Sequence, residues 1–315
     1  PLERENPAPG PDTEKKRSAR EKAAQKTDDV ERLYQSARAL LEKGNCTAAL
    51  ELARQALSRA PDHRELKRLA LLCRARISFK EKRFTVPADD NALAYYRQVL
   101  EMDPDNPEAR KGIESIAAWF ENQARSAYQN EDYERALNNI SKYREIKPSD
   151  NDAELMEWMI RGNLQYAAGR YLSPQGDNAA HYFRQVLNKA PQKEEIARRL
   201  AKARVLGAIS EIDTKASIQN QIPQFQKAFK ALKAGIDDHG DESMTDVRRA
   251  MAERVKTMLD AGIARPGAVP DEFISLVTGY FPEFGDNLQE RYEDLVARGD
   301  GARGLGNQAD FYLEA

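Results

Sequence analysis

The chain has 315 residues, of which 32% are charged and 8% aromatic, and its mean hydropathy is -0.75. Its 49 Lys and Arg against 51 Asp and Glu give a formal charge of -2, which offers no basic surface to a nucleic acid and disfavours such a partner. No apolar run approaches the ~20 residues that span a bilayer, so we expect no direct membrane insertion of this chain.

The composition also favours one class of secondary structure. Ala, Leu, Glu and Arg are abundant, whereas runs of Val, Ile or Thr are few, and this balance predicts helix nearly throughout. Residues 1–27 combine several prolines with many charges and almost no large apolar side chain, which predicts a disordered linker. The first residue is proline and not methionine, which leaves open a processed product or a fragment of a longer protein.

After this segment, apolar residues recur at helical spacing from Asp28 or Asp29 until Gly44 interrupts them. A second helix then runs to Pro61 and completes a helical hairpin. Prolines end similar hairpins at intervals of 43 or 44 residues, and a regular period of this length predicts a stacked array. The predicted hairpins cover about residues 28–61, 62–104, 105–148 and 149–191, with a following helix that ends at 206.

A duplication underlies this array. Segment Pro87–Pro104 matches Pro174–Pro191 at ten of eighteen positions, with an offset of 87 residues or two periods. Both copies carry an insert between their helices, Thr85–Asp89 and Leu172–Gly176, that leads into Asp-Asn-Ala. The Asp or the Asn of this string is a good N-cap, so the insert is predicted to be a structured loop.

The hairpins resemble the tetratricopeptide repeat family, in which small residues lie where helices cross and a proline closes the second helix. The first unit has the small, turn and proline positions of that motif at Ala37, Gly44, Ala49, Ala56 and Pro61. The third has Ala124, Tyr133, Ala136 and Pro148, but departs from the motif with Glu131 at the turn glycine and Tyr143 at the last small position. The lengthened P-x-x-D-N-A hairpin resembles repeats of multidomain bacterial envelope and signalling proteins.

The resemblance implies a right-handed superhelix of stacked antiparallel hairpins, an α-solenoid. Beyond it, helical spacing continues over 207–298, in segments such as Ile222–Ile236 and Leu288–Ala297, which predicts C-terminal hairpins that cap the array. The glycine-rich residues that follow predict a flexible tail over 299–315.

Motifs of catalysis and metal binding are missing from the sequence. His63, His181 and His239 have no HExxH or similar spacing, and no GxxxxGK[ST], GxGxxG or GxSxG string occurs. A solvated loop is favoured over a divalent ion site at 237–242, because no EF-hand spacing follows it. We therefore expect no enzymatic activity, no cofactor and no metal.

The two cysteines, Cys46 and Cys73, lie about 15 and 12 residues from the turn that joins their predicted antiparallel helices. At ~1.5 Å per residue their axial offset is about 5 Å, so the side chains meet if both point into the helix interface. Two buried thiols and a disulfide both fit this arrangement. A disulfide would place the chain in an oxidising compartment such as a bacterial periplasm.

The tetratricopeptide resemblance also implies a function: the first helix of each hairpin lines a concave groove that binds a peptide or helix of another protein. The implied groove residues are Tyr34, Arg38, Arg76, Phe79, Arg125, Tyr128, Asn163 and Tyr166. Aromatic rings and arginines are typical of interaction hot spots, although each ring alone fits packing against a neighbouring hairpin equally well. Tyr34 and Arg38 stand where chaperone adaptors of the family carry Lys and Asn, so a chaperone tail is not the expected ligand.

We therefore expect a non-enzymatic scaffold or adaptor. The alternative is a sensor or regulatory region of a larger membrane-anchored bacterial signalling or envelope protein, and self-association through end hairpins is a third reading. The sequence leaves the compartment open between the cytoplasmic and the periplasmic side of a bacterial membrane, with an envelope association favoured.

Overall fold

The computed structural model describes residues 11–263 and 269–282. Over these ranges the protein consists of twelve helices and contains no strand, so the prediction of an all-α protein is confirmed for this part of the chain. The helices are α1 Pro11–Glu42, α2 Cys46–Arg59, α3 Arg64–Lys80, α4 Ala92–Met102, α5 Pro107–Gln129, α6 Tyr133–Ile146, α7 Asn151–Ala167, α8 Ala179–Lys189, α9 Glu194–Ser210, α10 Ile218–His239, α11 Asp241–Ile263 and α12 Asp271–Tyr280.

Helix α1 begins at Pro11, and this corrects the expected disorder for residues 11–27. The segment is rich in Ala, Glu, Lys and Arg, which are strong helix formers, and it continues without a break into the amphipathic part of α1. Its low apolar content argued for disorder, but helix propensity and continuity with a packed helix outweigh that. Residues 1–10, the helix expected at Leu288–Ala297 and the tail at 299–315 lie outside the described residues.

Two compact units divide the chain, Pro1–Phe120 and Glu121–Ala315. Within each unit, helices that follow one another in sequence pack together. In the first unit α1 packs on α2 and α3, and α3 packs on α2 and α4. In the second, consecutive contacts run from α6 to α11, with further contacts of α9 with α11 and of α10 with α12. This pattern is the one expected of a helical repeat.

The duplication seen in the sequence is reproduced in the helix bounds. The starting residues of α2, α3, α4 and α5 lie 87 residues before those of α6, α7, α8 and α9. The first three of these helices also end 87 residues before their counterparts. We call α2 to α5 the first block and α6 to α9 the second block.

Each block starts with the same tight turn. Gly44 has φ +78° and donates its N–H to Leu41, while Glu131 has φ +58° and donates to Tyr128 in the same way. Both residues are in the left-handed region, which favours glycine. Glu131, the departure from the motif noted above, therefore keeps the conformation of the glycine that it replaces.

The two inserts form the same loop, which is closed by a buried asparagine. Asn91 donates from Nδ2 to the carbonyls of Pro87 and Ala88 at 2.6 and 2.8 Å, and its Oδ1 accepts from the Ala94 N–H at 2.8 Å. Asn178, the counterpart in the second block, makes the same kind of clamp and caps α8. The Val86-Pro87 and Ser173-Pro174 peptide bonds are both cis.

Small residues let the helices approach one another closely. A Cβ added at Gly162 would overlap the ring of Phe183, and one added at Gly112 would overlap the ring of Tyr96. These contacts join α7 to α8 and α5 to α4. The C-terminal helices of the second unit have a separate aromatic core that consists of Phe225, Phe229, Phe273 and Phe281.

Candidate functional site

The groove residues expected in the first unit are mostly held by contacts within the protein. Tyr34 packs against His63, with ring centroids 5.6 Å apart, and Phe79 packs against Phe84 at 5.2 Å. Arg76 pairs with Glu108 and donates from Nη1 to the Leu41 carbonyl at 2.8 Å. The hydrogen bond with Glu108 raises the pKa of Arg76. Arg76 therefore links α1, α3 and α5.

Two of the expected groove residues are exposed. Arg38 Nε lies 3.1 Å from Glu42 Oε1, and Arg125 Nη2 lies 2.7 Å from Glu121 Oε1, in both cases one helical turn away. Exposed pairs of this kind contribute little to stability. Both guanidinium groups thus remain at the surface.

Asn163, by contrast, is buried, with 1% of its surface exposed, which corrects its expected place in an open groove. Its Nδ2 donates to the Tyr128 hydroxyl at 2.9 Å, and its Oδ1 accepts from Arg199 Nη1 at 2.7 Å. Burial also raises the pKa of Tyr128. Both polar atoms of the Asn163 amide form hydrogen bonds that join α5, α7 and α9, as expected because a buried polar group needs internal partners. The tetratricopeptide resemblance implied that Asn163 lies on a first helix, but it could not reveal these partners.

Tyr166 borders a cleft in the second unit. The cleft has a volume of about 420 Å³ and is formed by α7, α9 and α11, which are alternate helices along the chain. Its lining side chains are Tyr166 from α7, then Glu195, Arg198, Arg199 and Lys202 from α9, and Glu242, Ser243 and Asp246 from α11.

Some of the charges in this cleft are already paired. Lys202 Nζ lies 2.7 Å from Asp246 Oδ1 and ties α9 to α11, while Arg199 Nη2 lies 3.3 Å from Glu195 Oε1. Lys202 is a position that sequence reasoning missed, and so is Arg199. The period of 43 or 44 residues identifies α9 as the next first helix, but it does not single out Arg199, which follows Asn163 by 36 residues.

Other groups in the cleft are available to a ligand. The guanidinium of Arg198 and the carboxylate of Glu242 have no side-chain partner within the described residues, and neither has the hydroxyl of Tyr166. Burial raises the pKa of Tyr166 to about 12, so its hydroxyl stays protonated at neutral pH. The Tyr166 ring is held by Tyr171, with centroids 5.3 Å apart. The cleft therefore offers a cation, an anion and a fixed hydroxyl donor.

The cysteines are both buried and both free in the structure. Cys46 lies next to Cys73. Burial, together with the neighbouring Cys46, raises the pKa of the Cys73 thiol to about 12. Of the two arrangements that the sequence left open, the structure has the pair of buried thiols.

The acidic segment at 237–242 contains ion pairs. Asp237 lies 3.4 Å from Lys233, and Asp241 lies 2.9 Å from Arg248. Across the described ranges, no three His, Cys, Asp or Glu side chains converge in a way that could hold a metal ion. No helix in these ranges is long and apolar enough to cross a membrane.

No model of a known protein family matches the chain, and no curated protein matches it in sequence. The likeness to tetratricopeptide repeats therefore depends on the residues and on the helical arrangement described above.

Proposed function

We propose that this protein is a non-enzymatic scaffold or adaptor of the tetratricopeptide type, and that it binds a peptide or helix of another protein on the face formed by its first helices. In this proposal the hairpins stack into a right-handed superhelix. The exact repetition of helix bounds at 87 residues, the small-residue crossings at Gly112 and Gly162, and the consecutive packing of helices support the repeat architecture.

The observation that carries the proposal is the cleft between α7, α9 and α11. These are the first helices of three successive hairpins, and the tetratricopeptide resemblance assigns ligand binding to that face. A cleft that extends over three helices suits an extended or helical peptide better than a small compact molecule.

The chemistry of the cleft also favours a peptide. Arg198 suits a carboxylate or a main-chain carbonyl, since a guanidinium donates several hydrogen bonds in one plane. Glu242 suits an ammonium or a guanidinium, and the Tyr166 hydroxyl suits a carbonyl. A segment that bears charges of both signs satisfies all three groups.

The test is crosslinking capture from the source cell's lysate and envelope fractions with two charge-reversal variants of one helix. Arg198→Glu changes the cleft, whereas Arg204→Glu makes the same change at an exposed position of α9 that does not line it. Circular dichroism checks that both variants fold. We expect a captured protein to be lost with Arg198→Glu and kept with Arg204→Glu. Equal capture by the two variants would mean that the ligand does not bind in this cleft.

A further inference from the structure

The interior of the first unit contains a group of reactive side chains that the proposed cleft does not use. Cys46 begins α2 and Cys73 belongs to α3, and the two thiols are neighbours where these helices pack together. The guanidinium of Arg76, also on α3, is a further neighbour of Cys46. We call Cys46, Cys73 and Arg76 the thiol cluster.

The second block shows that the fold does not need these groups. The residues 87 positions later are Tyr133, Ile160 and Asn163, so the chain's two cysteines are both in the first block. Helices α6 and α7 nevertheless pack on each other, as α2 and α3 do. Ile160 is fully buried, which shows that an aliphatic side chain fills the same interior position as Cys73. Packing alone therefore does not account for the two thiols.

The two thiols differ in their access to solvent. Cys46 is 9% exposed and directly follows the exposed turn residues 42–45, where a Cβ added at Gly44 would meet no atom within 4 Å. Cys73 is fully buried. Burial and the neighbouring Cys46 raise the pKa of Cys73 to about 12, so its thiol stays protonated at neutral pH. A small oxidant that enters beside the turn thus meets Cys46 first.

Cys46 also has positive surroundings. The thiolate is the form of cysteine that reacts with peroxides, and cationic groups and helix N-termini stabilise it. Cys46 is the first residue of α2, and Arg76 lies beside it. Arg76 is fixed there, since it pairs with Glu108 and donates from Nη1 to the Leu41 carbonyl at 2.8 Å. Glu108 does not cancel the guanidinium at the thiols, because Arg76 lowers the pKa of Cys73 more than Glu108 raises it.

We propose that the thiol cluster is an oxidation site, at which a hydroperoxide converts Cys46 and Cys73 to a disulfide. In the first step the Cys46 sulfur attacks a peroxide oxygen and the O–O bond breaks. Cys46 becomes a sulfenic acid, and the other oxygen takes the proton of the Cys46 thiol and leaves as an alcohol, or as water when the oxidant is hydrogen peroxide.

In the second step the Cys73 sulfur attacks the sulfenic sulfur of Cys46. The S–S bond forms, the S–O bond breaks, and the hydroxyl leaves as water with the proton that Cys73 has kept until then. The two thiols lose two electrons in total, and the hydroperoxide gains them. The disulfide ties α2 of the first hairpin to α3 of the second. It involves no residue of the cleft, so this proposal and the proposed function can fail separately.

The test is mass spectrometry of the full chain after treatment with a small molar excess of hydrogen peroxide, followed by unfolding and N-ethylmaleimide. Each free thiol takes up one maleimide, and a disulfide takes up none. Because the chain has two cysteines, a monomer that has lost two hydrogen atoms and takes up no maleimide contains this disulfide. The same chain unfolded in urea before the peroxide is added is the reference for cysteines outside a folded cluster.

We expect the folded chain to form the disulfide about tenfold faster than the unfolded chain. Cys73→Ala should stop at the sulfenic acid of Cys46, which dimedone captures, and Cys46→Ala should leave Cys73 a free thiol. Arg76→Gln should slow the reaction about tenfold, and Arg76→Lys should retain most of the rate. Arg74→Gln is the matched control on α3, because that guanidinium lies over the Tyr95 ring, and it should leave the rate unchanged. Circular dichroism checks that the variants fold.

Four results would overturn the proposal. The first is a folded chain that keeps both thiols under conditions that oxidise the unfolded chain, which would make the pair inert. The second is capture of the sulfenic acid on Cys73 in preference to Cys46. The third is equal rates for Arg76→Gln and the wild type, which would remove the guanidinium from the mechanism. The fourth is a non-reducing gel that shows disulfides between chains and none within the monomer.

Discussion

The asparagine clamp of the inserted loop leads to a quantitative prediction for Asn178→Ala. Asn178 is 4% exposed; its Nδ2 donates to the Leu172 and Pro174 carbonyls at 2.9 and 2.7 Å, and its Oδ1 accepts from the His181 N–H at 2.8 Å. Loss of the N-cap costs about 1 kcal/mol. Loss of each carbonyl hydrogen bond costs about 1 kcal/mol more. The free energy needed to open the loop should therefore fall by about 3 kcal/mol.

Hydrogen exchange measured by mass spectrometry tests this value, because the effect is local and unfolding of a repeat protein need not be two-state. Since 1.4 kcal/mol corresponds to a factor of ten, exchange over residues 172–181 should become about 100-fold faster. Gln175→Ala is the matched control, as Gln175 is exposed in the same loop and makes no side-chain hydrogen bond there. If Asn178→Ala accelerates exchange no more than Gln175→Ala does, the clamp does not hold the loop.

Three further predictions concern stability and reactivity. Glu131→Gly should stabilise the protein by about 1 kcal/mol in urea denaturation, because φ +58° costs a non-glycine residue about that much; an unchanged or lower midpoint would contradict this. Gly162→Ala should destabilise it by about 2 kcal/mol through overlap with Phe183, whereas Gly279→Ala, with open space at its Cβ, should be neutral or slightly stabilising; similar effects at both sites would refute the packing argument. Cys73, with a pKa of about 12, should resist iodoacetamide at pH 8 in the folded chain, and its contribution to stability should be lost as pH rises from about 9 to 12; rapid alkylation without unfolding would show that the thiol is accessible.

The helical architecture could be predicted from the sequence because its signals are local and recur. Prolines at a period of 43 or 44 residues and the match between Pro87–Pro104 and Pro174–Pro191 indicated repeated hairpins with an offset of 87, and the helix bounds have that offset. The inserted loops were recognised as structured for the same reason, since both lead into Asp-Asn-Ala. The exception is residues 11–27, where a composition with almost no large apolar side chain masked a high helix propensity.

The candidate site was less accessible to this reasoning. The period identified α7 and the helix that follows the fourth hairpin, but not α11. The role of each side chain depends on partners distant in sequence, as with Asn163, which is hydrogen-bonded to both Tyr128 and Arg199. Lys202 and Glu242 of the cleft were missed because the repeat signature fades along α9 and is absent from α11. The partial exposure of the Trp119 ring, which contacts Phe84 and Phe120, depends on tertiary packing alone.

The register of the two blocks has a consequence for how such a chain can change its length. A recombination crossover between equivalent points, such as Gly44 and Glu131, removes or adds 87 residues and leaves the same tight turn at the seam. A crossover offset by a single hairpin would instead produce two successive hairpins with short loops, or two with lengthened loops. The helices next to the seam would then pack against helices that do not match them. We therefore expect an array of this kind to grow or shrink by two hairpins at a time.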